Sequence, residues 1–197
     1  MSLRESSTLF NTIIYEQVNK VAFEEKTISS SIVYEGPVFR VRKHIVDSAG
    51  GQSVRDIVEH TGGAIMVAVS EDGKILMERQ FRKALEREIL ELPAGKADPG
   101  EEPIVTASRE LSEETGYIPQ DVKHLVSYYP TCGYSNEHLH IFICKDLVKG
   151  EQHLDSDESI DLEWIDTETC IDLIMKGEIQ DSKTIIGILF ARQAGEI

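Results

Sequence analysis

The sequence predicts an α+β fold in which a mixed β-sheet is sandwiched between helices, preceded by a small N-terminal antiparallel sheet. Segments with strand-like alternation surround one central and two C-terminal helical segments, which is typical of this class. The length of 197 residues suffices for one hydrophobic core with a smaller appendage. We therefore expect an N-terminal arm or helix over residues 1–25, a small sheet over 26–60 and the main domain over 61–197.

The N-terminal region combines a segment of helical periodicity with three short strands. Residues 6–23 place apolar side chains at helical spacing, and an amphipathic helix and a loosely held arm both fit them. The strands are predicted at residues 31–35, 38–47 and 52–60. Because isolated sheets of so few strands are marginal in water, this region needs a partner. We expect a homodimer through residues 26–60.

The main domain begins with two strands, residues 63–70 and 75–82, around the turn signal Glu71-Asp72-Gly73-Lys74, which predicts a hairpin. Later strands and helices are separated by polar turns. Strands are predicted at 122–129, 138–144 and 160–165, and helices at 167–176 behind Asp166 and at 183–193 behind Asp181 or Ser182. The single tryptophan, Trp164, is assigned to the core.

The central helix, predicted over residues 102–115 with Gly116 as its C-cap, carries the most informative pattern. Glu110, Glu113 and Glu114 stand at positions i, i+3 and i+4. This spacing puts three carboxylates on one helical face, with Cβ atoms about 5–6 Å apart.

Carboxylates held so close repel one another, which indicates a compensating cation. Arg109 supplies one positive charge. Hard oxygen ligands in a tight group also suit Mg²⁺ or Mn²⁺. A solvated acidic helix face fits the same spacing, so the spacing alone leaves both interpretations open.

The wider pattern around this helix distinguishes the two. The stretch from Gly95 to Tyr117, GKADPGEEPIVTASRELSEETGY, resembles the signature of the Nudix hydrolases, G-x5-E-x7-R-E-U-x-E-E-x-G-U. Every charged and glycine position of that signature is matched. Tyr117 stands where the family prefers an aliphatic residue, which changes packing and leaves the ligand set untouched. The resemblance implies a Nudix fold, with residues 61–197 as its catalytic domain.

The similarity extends over residues 26–193 and identifies a branch of the family. The phrases EKTISS, VFRVR, VRDIVEH, ERQFRKALEREILELPAGK and KTIIGIL look like those of the ADP-ribose pyrophosphatase branch, which also hydrolyses other nucleoside diphosphate sugars. The resemblance implies Mg²⁺-dependent cleavage, with Mn²⁺ as a possible substitute, to a nucleoside monophosphate and a sugar phosphate. It also implies a homodimer that exchanges its N-terminal sheets and shares residues between sites.

The same resemblance implies three groups of site residues. The metal would be held by the backbone carbonyl of Ala94 and by Glu110, Glu113 and Glu114. The substrate would be bound by Arg82 at the diphosphate, by Arg55 and Glu59 from the partner protomer, and by Gly133 and Glu137 near the sugar. The catalytic residues would be Glu113, Arg109 and Glu158, with Glu158 as the general base in an acidic loop that also holds Asp155 and Asp157.

One departure from the branch leaves the substrate open. Cys132 stands where the branch carries a proline, so GDP-mannose or another nucleoside diphosphate sugar is an alternative to ADP-ribose. A non-catalytic Nudix sensor is a second alternative, against which the intact ligand set argues. Hydrolysis of oxidised nucleoside triphosphates is disfavoured by the N-terminal sheet and the ELPAGK phrase. His138 and His140 share a strand face, and we expect them to line or support the pocket rather than bind metal.

Composition narrows the partners and the compartment. The net charge of −15 disfavours binding to nucleic acid or anionic membranes, because such binding needs clustered lysine and arginine. Three widely spaced cysteines indicate neither a disulfide framework nor a zinc site, and no signal peptide or long apolar run is found. These features predict a cytoplasmic protein.

Overall fold

The computed structural model describes residues 24–154, 156 and 158–197. The helix or arm expected over residues 1–25 falls outside these residues, apart from its last two. The described chain divides into two compact units, residues 24–36 with 40–57 and residues 37–39 with 58–197.

The first unit is built on a three-stranded sheet in the order β1-β2-β3, which confirms the predicted N-terminal sheet. Its strands are β1 (Lys26–Glu35), β2 (Arg40–Ser48) and β3 (Gly51–Glu59), and β1 runs antiparallel to β2. Strand β1 starts earlier than the sequence predicts, and all ten of its residues are exposed within the single chain.

The second unit contains two sheets and three helices. Its strands are β4 (Gly63–Ala68), β5 (Lys74–Arg82), β6 (Arg87–Glu91), β7 (Ala94–Lys96), β8 (Tyr117–Tyr128), β9 (Leu139–Lys149) and β10 (Ile160–Asp166). Its helices are α1 (Pro103–Thr115), α2 (Thr167–Met175) and α3 (Ser182–Gln193). One sheet has the order β7-β4-β9-β8 and is mixed, because β4 is parallel to β9 and the other pairs are antiparallel. The other sheet, β10-β5-β6, is antiparallel.

The predicted hairpin of residues 63–70 and 75–82 is wrong. Both strands exist, but they belong to different sheets, and their connection holds an isolated bridge between Val69 and Ile75 rather than a ladder. All six residues of β4 are buried, so this strand needs neighbours on both edges and cover on both faces. It obtains them from β7 and β9, which leaves β5 to pair with β6 and β10.

Strand β4 lies at the centre of two apolar layers, one on each face of the mixed sheet. Ile65 and Val67 pack in a cluster with buried residues of the C-terminal helices, Cys170, Ile188 and Ala191 among them. On the other face, the cluster combines Ala64, Met66 and Ala68 with Ala107 and Leu111 of α1. The mixed sheet therefore lies between α1 and the C-terminal helices, as predicted. Trp164 is only partly buried and packs against the α1 cluster.

The helix ends follow the predicted signals, with one difference. Helix α1 ends at Gly116, which adopts the left-handed conformation with φ of 71°. Asp181 caps α3 by accepting from the backbone N–H of Thr184 at 2.9 Å. Asp166 occupies the N-cap position of α2, yet its side chain makes no capping hydrogen bond. No helix among the described residues is long and apolar enough to cross a membrane.

Candidate active site

A cavity of about 600 Å³ opens in the second unit where β4, β5 and β7 meet α1. Its lining is dominated by charged and polar side chains, and six of the predicted site residues contribute to it. These are Arg82, Ala94, Glu110, Glu114, Glu137 and Glu158. A second cavity of about 620 Å³, beside Tyr117 and Trp164, holds none of the predicted site residues.

The cationic part of the lining is anchored on one buried carboxylate. Glu91, at the end of β6, is 1% exposed and accepts a hydrogen bond from Nε of Arg82 at 2.7 Å. Lys183, in the first turn of α3, donates to the other oxygen of the same carboxylate. Two positive side chains are thereby fixed at the cavity wall, as an anionic ligand would require.

Arg109 joins the carboxylates of the helix face. Its guanidinium pairs bidentately with Glu101, with Nε to Oε1 at 3.0 Å and Nη2 to Oε2 at 2.8 Å. Nη1 donates to Glu110 at 2.9 Å and to Glu113 at 3.0 Å. The bonds from Arg109 hold the pKa of Glu101 at about 2. Arg109 and Glu113, both predicted as catalytic, lie beside the cavity and are not among the described residues that line it.

Glu114 and Glu110 are carboxylates with little access to solvent. Glu114 is 7% exposed, and its Oε2 accepts from the backbone N–H of Ala94 at 3.2 Å. Burial, and then the charges of Glu78, Glu110 and Glu158, raise the pKa of Glu114. Burial likewise raises the pKa of Glu110. Burial therefore disfavours the charged form of both carboxylates, and a divalent cation bound beside them would offset that cost.

Gly95 is the residue that lets Glu110 reach this position. A Cβ atom at residue 95 would lie 1.9 Å from Cδ of Glu110, far inside any permitted contact. The glycine at the start of the signature therefore makes room for a carboxylate from the neighbouring helix.

The donor set fits a divalent cation in its chemistry, although its side chains are not arranged around one. Among the described residues, no three His, Cys, Asp or Glu side chains converge closely enough to hold a metal ion. Arg109 instead engages Glu110 and Glu113, and the Ala94 N–H engages Glu114. Carboxylate oxygens are nevertheless the ligands that Mg²⁺ and Mn²⁺ prefer, and a cation would offset the repulsion just described. Rearrangement of these side chains would be part of binding.

The remaining predicted residues lie in different places. Glu137 faces Nδ1 of His60 at 3.5 Å on the cavity wall, whereas Gly133 lies in a turn and is absent from the described lining. Arg55 belongs to the first unit, where its Nε donates to Glu25 at 3.0 Å. Glu59 ends β3. Whether Arg55 and Glu59 reach a partner's substrate concerns a second chain and stays a prediction, and Asp155 and Asp157 lie outside the described residues.

His138 and His140 are not among the described residues that line the cavity, and their supporting role stays a prediction. Their rings lie 4.3 Å apart, and Nδ1 of His140 is 2.8 Å from Oγ of Ser127. The backbone carbonyl of His138 accepts from Gly63 N–H at the start of β4.

Sequence reasoning missed Glu78, Glu91 and Lys183. Glu78 was detectable, because an acidic residue follows the apolar run Ile75–Met77 and alternates with Gln80 and Arg82 along β5. Glu91 and Lys183 gave no comparable signal, since their pairing joins elements that are distant in sequence.

Comparison with known proteins gives concordant matches. The model of the NUDIX domain matches residues 59–185. The chain is 40% identical over 171 residues to the methanol dehydrogenase activator of Bacillus methanolicus, covering 85% of this chain and 92% of that protein. It is 38% identical over 172 residues to the ADP-ribose pyrophosphatase of Bacillus subtilis strain 168, covering 86% and 93%. The crystal structure of an ADP compounds hydrolase superposes with a TM-score of 0.79 at 19% identity, covering 90% and 97%, and supports the fold alone.

Proposed function

This chain belongs to the NUDIX family, and on that basis we propose that it hydrolyses the diphosphate of a nucleoside diphosphate sugar, with ADP-ribose as the first candidate. The products would be a nucleoside monophosphate and a sugar phosphate. The observation that carries the proposal is the cavity in which Glu110, Glu114 and Glu158 share one space with Arg82 and Lys183. The name of the Bacillus subtilis relative supports the substrate class.

Hydrolases of this family generally need a divalent metal, and we propose Mg²⁺, with Mn²⁺ as a substitute. Glu110, Glu113, Glu114 and the backbone carbonyl of Ala94 would hold it. When bound, the metal would neutralise the diphosphate and lower the pKa of the attacking water. Arg82 would bind the diphosphate and fix its orientation, because Glu91 already restrains its side chain.

Glu158 is proposed as the general base that accepts the proton of the attacking water. It lines the cavity, and its charge contributes to the raised pKa of both Glu110 and Glu114, so it lies near the helix carboxylates. Glu158→Gln should lower kcat strongly and leave the Mg²⁺ affinity of the free enzyme almost unchanged. If Glu158→Gln is active while Asp155→Asn or Asp157→Asn is crippled, the base is a different acid of the same loop.

The experiment that tests the function is a screen of nucleoside diphosphate sugars with Mg²⁺ or Mn²⁺ and identification of both products. Glu114→Gln is the matched control, since it removes one charge and keeps the shape of the side chain. We expect kcat to fall by orders of magnitude and substrate binding by much less. Turnover of no substrate by the wild-type protein would favour a sensor that only binds its ligand.

Cys132 provides a test of substrate preference, because its thiol is exposed and stands in place of the branch proline. We propose that this loop contributes to the choice of sugar. The ratio of kcat/KM for ADP-ribose to that for GDP-mannose should rise in Cys132→Pro if the loop disfavours ADP-ribose here. An unchanged ratio would place the determinant elsewhere.

The name of the Bacillus methanolicus relative favours a second candidate, an effect on a dehydrogenase. It is tested by adding this protein to a methanol dehydrogenase assay with Mg²⁺. Loss of any activation with Glu114→Gln would tie that effect to the proposed hydrolytic site. Activation that persists with Glu114→Gln would separate the two functions.

We also propose a homodimer through residues 26–60. Strand β1 exposes Ile28, Ile32, Val33 and Tyr34, each between 44% and 53% of its surface. So much apolar surface on one short strand is typical of an interface. A monomer in sedimentation equilibrium at micromolar protein would contradict this proposal. The three free thiols support our proposal of a reducing, cytoplasmic compartment.

A further inference from the structure

Glu78 is a buried acid that the proposed mechanism leaves unused. It lies in β5 after an apolar run, is only 2% exposed, and its Oε1 has no hydrogen-bond partner among the described residues. A buried polar atom without a partner is costly, and an ionised one more so. Such a group indicates a ligand or ion that the protein chain does not itself supply.

The strand geometry directs Glu78 toward the active-site cavity. Alternation along β5 places Glu78 on the same face as Gln80 and Arg82, and both of those residues line the cavity. Across the sheet, Glu78 is in register with Glu91, the carboxylate that anchors the cationic wall. Glu78 is not itself a lining residue; it lies behind the wall, two positions before Gln80 on the same strand face.

The two cations whose charges act on Glu78 are both shared with Glu91. Arg82 and Lys183 both bond to Glu91. Burial, and then the charges of Glu91 and Glu158, raise the pKa of Glu78, and the charge of Glu78 in turn adds to the raised pKa of Glu114. The carboxylates that act on one another here, Glu78, Glu91, Glu114 and Glu158, thus outnumber the two cations fixed by Glu91.

We propose that Glu78 is an additional ligand of the divalent-cation site, and that its buried Oε1 is satisfied when the cation binds. This inference rests on the metal site of the proposed function and adds a residue that lies outside the signature. It also accounts for the burial of an acid at a position where an apolar residue would otherwise stabilise the strand.

The test is a titration of metal-free protein with Mn²⁺, in which electron paramagnetic resonance measures the concentration of free Mn²⁺. This measurement does not depend on turnover. Glu78→Gln and Glu78→Leu should each weaken Mn²⁺ binding by roughly tenfold or more. Glu78→Leu should also raise the melting temperature of the metal-free protein, because it removes a buried acid whose Oε1 has no hydrogen-bond partner among the described residues. Glu163→Gln, on the neighbouring β10, is the matched control and should bind Mn²⁺ as the wild type does, because its carboxylate pairs with Arg79 outside the cavity lining.

Glu114→Gln separates the two levels of the proposal. If Glu114→Gln weakens Mn²⁺ binding while both Glu78 variants bind as the wild type does, the role of Glu78 is overturned and the metal site stands. If neither Glu114→Gln nor the Glu78 variants change binding, the metal site itself is overturned. Should Glu78→Leu fail to fold, Glu78→Gln still decides the question.

Discussion

Replacing Gly95 with alanine should disable the active site while leaving the fold nearly intact. The new Cβ would lie 1.9 Å from Cδ of Glu110 and 2.3 Å from its Cγ and Oε2. Carbon atoms in contact stay about 3.5–4.0 Å apart, so the Glu110 carboxylate must retreat by about 1.5–2 Å. The φ of Gly95 is outside the left-handed region, so the backbone accepts alanine without strain.

Gly95→Ala should have a small effect on stability and a large effect on kcat. Moving one flexible side chain costs about 1 kcal/mol of unfolding free energy, the scale of an off-rotamer torsion. Displacing a proposed metal ligand by more than about 1 Å is expected to lower kcat on the order of 100-fold. Urea unfolding and steady-state kinetics on the best substrate of the screen measure these two quantities on the same preparation.

Two glycine variants serve as controls. At Gly63 an added Cβ would meet the backbone carbonyl oxygen of Gly95 at 2.4 Å, so Gly63→Ala must separate β4 from β7. That variant should lose about 2–3 kcal/mol of stability, because a backbone, not a side chain, has to move. At Gly50 the space is open, and Gly50→Ala should be neutral in both assays.

A double variant provides the decisive check. Glu110→Ala removes all three atoms that the new Cβ of Gly95→Ala would meet. Adding Gly95→Ala to Glu110→Ala should therefore change neither the remaining activity nor the stability. A near-wild-type kcat in Gly95→Ala would refute the steric reasoning. So would a kcat in the double variant that is lower than in Glu110→Ala by the full factor that Gly95→Ala causes alone.

Two further predictions concern the framework of the site. Thr184 is fully buried, and its Oγ1 accepts from the backbone N–H of Leu92 at 2.9 Å and donates to Asp181 at 2.6 Å. Thr184→Val removes both bonds and should cost about 1–3 kcal/mol in urea unfolding; a neutral result would mean that the two bonds contribute no net stability. Arg109 lowers the pKa of Glu101 from 4.5 to about 2. The stabilisation from that pair is therefore complete above pH 4.5 and lost as the pH falls toward 2. Glu101→Gln should flatten the acid limb of the stability curve, and an unchanged limb would show that other carboxylates control it.

Local signals predicted the central helix, its glycine cap and the C-terminal helices because such features depend on neighbouring residues. The pairing of strands could not be predicted from neighbouring residues in the same way. The turn residues between β4 and β5 favour a hairpin, but the burial of both faces of β4 requires β9, which lies far along the chain, as its neighbour. Long-range burial therefore overrides a correct local turn signal.

The prediction of site residues was limited in a related way. The signature specifies residue types, but it does not distinguish residues that would bind the metal from residues that hold those ligands in place. Gly95 makes room for Glu110, and Glu101 pairs with Arg109, which in turn holds Glu110 and Glu113. These three residues, Gly95, Glu101 and Arg109, therefore shape and orient the carboxylates. Arg109 was predicted as catalytic, and in the structure its contacts are with carboxylates beside the cavity. Glu78 illustrates the converse, since it lies outside the signature and only its burial without a partner brings it to attention. A motif thus identifies the helix that carries the chemistry, whereas the charge balance of the folded cavity identifies the residues that complete it.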